Sequence, residues 1–132
     1  MLRFSYLPSD FHPLVLILGD TEDLCKLAAL LRRFAHDTRN VALERMNVAA
    51  PSDTSLLLTA SAGPTGAHLS AGPAKALRWT LTVDQAQAFC DAIETLAADP
   101  RGSGSIVLAC ESEGEIPVKV SRGEFTDDFL VA

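Results

Sequence analysis

"HPLVLILGDTEDLCKLAALLRRFAHD", residues 12–37, changes its period in the middle, and that change decides the fold class. From Leu14 to Leu18 the chain is apolar without a break and is bounded by Pro13 and Gly19, which predicts a buried strand. From Asp20 the spacing turns helical. Leu24, Leu27, Ala28, Leu31 and Phe34 fall on one face of a helix that closes near Asp37. Asp20 or Thr21 caps its start, because a short polar side chain accepts bonds from amides that lack partners in the first turn. Glu22 and Asp23 place negative charge where the helix dipole favours it, and Arg32, Arg33 and His36 place positive charge near the other end.

The same change of period recurs downstream. "KALRWTLT", residues 75–82, predicts a strand with Leu77, Trp79 and Leu81 on one side, and "TVDQAQAFCDAIETLAADP" follows it as a second helix. Thr82 and Gln85 form a T-x-x-Q capping box; Val83, Ala86, Phe89, Cys90, Ile93, Leu96 and Ala97 keep helical spacing, and Pro100 stops the run. "NVALERMNV" and "TSLLLTAS" predict two further strands joined through "AAPSD". "SIVLAC" and "EIPVKV" predict a hairpin across "ESEG", with Ile116, Val118 and Val120 on an apolar face. Pro117 carries no amide donor, which points to an edge strand or a bulge. "AGPTGAHLSAGPA" reads as a long loop near 62–74.

The expected fold is therefore one α+β domain over residues 1–132: an antiparallel or mixed sheet of about six strands, with two helices on one face. Its order is β-α-β-β-β-α-β-β. Each half repeats strand, helix, strand, strand, which suggests a pseudo-repeat. Matching apolar residues sets Leu16 over Leu81 and Leu24-Cys25 over Phe89-Cys90.

Composition narrows the function classes. The net charge of −6 opposes nucleic-acid binding, which needs a basic stripe to displace counterions; it favours solubility and suits a basic protein partner. The longest apolar run, Leu14–Leu18, is far too short for a membrane span, and the N-terminal stretch lacks the apolar core of a signal peptide, so a cytoplasmic location is expected. Cys25, Cys90 and Cys110 are singly placed and read as small buried apolar residues rather than a disulfide framework or zinc site. His12, His36 and His68 fall in no catalytic signature. "GPTG" and "RGSG" lack the lysine and hydroxyl of a phosphate loop, and Asp127 with Asp128 supplies too few oxygens for a calcium loop. The expectation is no enzyme, no metal and no cofactor.

Residues 80–130, from "TLTVDQAQAFCDAIETLA" through "VKVSRGEFTDDF", resemble the C-terminal part of small bacterial α+β proteins, some of them grouped with the immunity proteins of polymorphic toxin systems. What the resemblance implies is a non-catalytic cytoplasmic protein that neutralises a toxin by binding it. On that reading the acidic, aromatic tail supplies the partner surface, with Glu124, Phe125, Asp127 and Asp128 as its residues. Two other readings stand beside it. One is a small-ligand or sensory domain whose pocket is lined by Trp79 and Phe89. The other is a domain that self-associates, as a homodimer, through a spare sheet face.

Overall fold

The computed structural model describes residues 3–7, 13–43, 54–60, 65–69, 75–100, 104–111 and 114–122. In chain order the elements are β1 (Arg3–Leu7), β2 (Leu14–Leu18), α1 (Thr21–Asp37), β3 (Val41–Ala42), β4 (Thr54–Ala60), β5 (Gly66–Leu69), β6 (Lys75–Leu81), α2 (Val83–Ala97), β7 (Gly104–Leu108) and β8 (Val118–Arg122). The α+β class and the two helices are as expected. The single six-stranded sheet is not: the strands form two four-stranded mixed sheets, β1-β2-β8-β7 and β3-β4-β6-β5.

Two strands escaped the sequence reading, β1 and β5. β5 lies inside the stretch read as a Gly/Pro loop, and pairs antiparallel with β6 from Gly66↔Thr80 to Leu69↔Leu77. Its four residues include a glycine, so it carries too little apolar pattern to stand out. Pro117 marks neither an edge nor a bulge. β8 lies between β2 and β7, and the β2–β8 ladder begins at Val118, one residue past the proline. There the missing donor costs nothing, and the Pro117 carbonyl accepts from Val15 N at 3.0 Å.

Both helices start on capping boxes. In α1 the Asp20 carboxylate accepts from Asp23 N at 2.9 Å, and the Asp23 carboxylate accepts from Asp20 N at 3.1 Å. Burial alone would raise the Asp23 carboxyl, but the Asp20 amide is among the groups that hold it below its ordinary value. In α2, Thr82 and Gln85 exchange the same pair of bonds. α1 ends where Thr38 turns left-handed (φ 53°) and returns its amide to Phe34 O.

The cap positions reveal the internal symmetry, and they correct the alignment drawn from apolar letters. Asp20 matches Thr82, and Asp23 matches Gln85, each 62 positions on. Leu24 then matches Ala86, Ala28 Cys90, Leu31 Ile93 and Phe34 Leu96, and all eight are buried. The apolar matching had slipped by three residues. That is close to one helical turn, so the helix faces still agreed, but it would turn every strand residue to the wrong side. The same spacing relates the two parallel ladders. Val15↔Val118 and Ile17↔Val120 in one sheet become Leu77↔Leu56 and Trp79↔Leu58 in the other.

Each half is thus a ββαββ unit, and the units exchange hairpins. β1–β2 of the first half pairs with β7–β8 of the second, while β5–β6 of the second pairs with β3–β4 of the first. The helices pack on each other and share one core with the inner faces of both sheets, including Phe4, Val15, Ile17, Leu56, Leu58, Trp79, Val118 and Val120. Trp79 lies against Phe89 with ring centroids 6.1 Å apart. Its Nε1 is buried without a hydrogen-bond partner among the described residues. Trp79→Phe keeps most of the ring burial and removes that orphan donor, so the two terms offset and stability should change by less than about 1 kcal/mol. Urea denaturation checks this; a loss beyond about 2 kcal/mol means that the indole N–H has a partner after all.

Candidate functional site

The four tail residues expected to meet a partner, Glu124, Phe125, Asp127 and Asp128, lie outside the described residues, as does His12. The structure does not bring the remaining candidates together as catalytic machinery. His36 is exposed at the end of α1, while His68 sits on β5 with Nε2 3.0 Å from Thr65 O. Cys90 is buried and Cys110 half-buried, but Cys25 is exposed, against expectation. It falls beside Leu24 yet off the Leu24–Leu27–Leu31 stripe, so helix geometry turns it outward. Trp79 belongs to the core, and Phe89 packs at its margin.

A polar cluster among the described residues joins three segments: the start of β5, the N-terminal turn of α2 and the turn between β7 and β8. There the Glu115 carboxylate accepts from Cys110 N at 2.7 Å and from Glu111 N at 2.9 Å, with Glu111 held at φ 59°. Gly66 lies directly against that carboxylate. Gln85 reaches from the α2 cap to Thr65 Oγ1 at 3.4 Å. Burial and the Glu115 charge push the Cys110 thiol up to about 11, so at neutral pH it is a protonated, poor nucleophile. Chemically the cluster is a clasp. Beside it Ile116 N donates to Ala67 O at 2.8 Å, tying the two sheets together.

β7 runs into this clasp and is an edge strand of its sheet. Its residues, Gly104, Ser105, Ile106, Val107 and Leu108, include neither charge nor proline. Val107 is 59% exposed, the highest value among the exposed large apolar residues described. Proteins ordinarily blunt an edge with charges, prolines or a cover, because its free amides and carbonyls will pair with another chain. The other described edges are shorter or less open: β1 carries Arg3, β3 has two residues, and β5 meets Ile116. Separately, a cavity of about 430 Å³ lies at the C-terminal end of α1, with Leu30, Phe34 and Val41 beside Arg33, Asp37 and Arg39.

Among the described residues no group of three potential metal ligands is gathered, and no helix is long and apolar enough to cross a membrane. No protein-family model, curated protein or solved structure matches the chain.

Proposed function

We propose that this chain is a non-catalytic protein-binding domain of bacterial type that takes an extended segment of its partner along β7, and that it serves as an immunity protein, neutralising a toxin by binding it. The observation that carries the binding mode is the edge position of β7, whose strand carries neither charge nor proline and leaves Val107 exposed among the described residues. Strand addition draws its affinity from backbone bonds at such an edge and its specificity from alternate side chains. The net charge of −6 supports a basic partner, steered in over a distance. The tail residues Glu124, Phe125, Asp127 and Asp128 are proposed as further partner contacts, three of them acids suited to a basic partner.

The test is calorimetric titration with the purified product of a neighbouring toxin gene. Val107→Lys places a charge on the apolar edge and should weaken binding at least tenfold, on the order of the cost of burying an unpaired charge at an interface. The fold should survive, since Lys119 opposite adds only a small like-charge penalty. Reversing Asp127 and Asp128 to lysine should weaken binding as well. Unchanged affinity of V107K sinks the edge reading, and failure to bind or neutralise the neighbour's product sinks the immunity reading.

The cavity beside Arg33 and Arg39 favours a second reading, a small anionic ligand with an apolar body. A thermal shift that is saturable with one carboxylate and lost in Arg33→Ala would promote it.

A further inference from the structure

We propose that the two ββαββ halves of this chain are mutually complementary docking units, so that the fold closes either within one chain or between two copies that exchange their C-terminal halves. The partner is a second copy of this chain, and the surface is the one each half already presents to the other.

Three observations carry this. Both sheets are assembled from one hairpin of each half, through the parallel pairs β2–β8 and β4–β6, so neither half completes a sheet alone. The halves follow one template: the capping boxes, the buried helix positions and both parallel ladders repeat 62 positions apart. Finally, Arg32 and Glu94 are equivalent positions under this match, yet they touch each other as an ion pair between α1 and α2. Equivalent residues in contact mark the pseudo-twofold axis. Two identical units would set like charges face to face there. This chain instead carries opposite charges, which selects the first half against the second half over either half against itself.

The segment between the halves decides which closure wins. Ala60 pairs with Leu81 on one side of β6, and Gly66 pairs with Thr80 on the other, so the connection must pass across β6. That is two strand spacings, about 10 Å. Five residue steps from Ala60 to Thr65 reach at most about 18 Å, more than that distance. A short tether of this kind gives its ends an effective concentration on the order of millimolar, so the intact chain closes on itself in dilute solution. Deleting residues 61–64 leaves only Thr65 between Ala60 and Gly66, a reach of at most about 7 Å, too short to straddle β6. β4 must then run on into β5, carrying the second half into another copy.

The shortened chain is expected to be a dimer by light scattering at about 10 µM, with the intact chain's circular dichroism, while the intact chain stays monomeric at that concentration. A folded monomer of the shortened chain overturns the proposal. A charge exchange in the full-length chain provides an independent arm. Arg32→Glu alone opposes two acids at the axis, and Glu94→Arg alone opposes two bases. An exchanged heterodimer of the two variants restores one Arg–Glu pair in each lobe. Refolded together at about 1 mM, near the tether's effective concentration, they should yield heterodimers as more than half of all dimers by native mass spectrometry. Heterodimers at half or fewer, or monomers only, overturn it.

Discussion

Gly66→Ala should destabilise the protein by about 3–4 kcal/mol and lower its Tm by roughly 10–15 °C. Two costs combine at this position. The backbone stands at φ +97°, where a side chain is strained by about 1–2 kcal/mol. The new methyl would also fall within the Glu115 carboxylate. Glu115 can swing aside only by releasing the amides of Cys110 and Glu111, bonds to a charged acceptor worth about 1.5–3 kcal/mol each when buried and less at the wetter Glu111. A double-mutant cycle separates the costs. In a Glu115→Ala background only the backbone strain is left, so Gly66→Ala should then cost about half as much. An equal cost in both backgrounds would show that the carboxylate contact contributes nothing.

Arg122→Ala should cost about 2–4 kcal/mol, read as a lower denaturation midpoint at unchanged slope. The side chain is only 4% exposed. Its Nη1 donates to Ala97 O at 2.5 Å and to Thr21 Oγ1 at 3.3 Å, and its Nη2 donates to Asp99 O at 2.6 Å. These contacts place the first turn of α1 beside the last turn of α2, so the helices run antiparallel. They also supply what α2 lacks, since it has no basic residue in its last turn. A guanidinium from β8 meets the negative end of the helix dipole and the carbonyls that the helix leaves unpaired. Losing it strands those acceptors. Relief of the buried Nε, which has no hydrogen-bond partner among the described residues, offsets part of the loss. Arg122→Lys should recover no more than about half, because one ammonium on a flexible stem does not reproduce the planar fork across two carbonyls. Full stability in Arg122→Ala would mean that solvent satisfies the end of α2.

Much of this site was within reach of the sequence, though not its roles. Val118, Val120 and Arg122 alternate onto one face, so strand periodicity alone marks Arg122 as a charge on an apolar side. Glu115 and Gly66 left no comparable mark, because they are 49 positions apart and meet only through the approach of β5 to the β7–β8 turn. The edge character of β7 was equally silent, since "SIVLAC" reads the same in a central strand.

The sequence by itself determined both helices, the capping box of α2, most of the buried stripes and most strands, whereas the Asp20–Asp23 box of α1 came from the structure. These depend on residues within a few positions of one another, where spacing and cap chemistry act directly on the backbone. Tertiary structure alone decided which strands meet. The split into two sheets, the exchange of hairpins and the parallel β2–β8 and β4–β6 ladders are built from backbone amides and carbonyls that nearly every residue carries alike, so the choice of partner is not written in any local pattern. It is set by which arrangement buries Leu24, Leu31, Ile93 and Trp79 in one core at once, a condition that only the whole chain can satisfy.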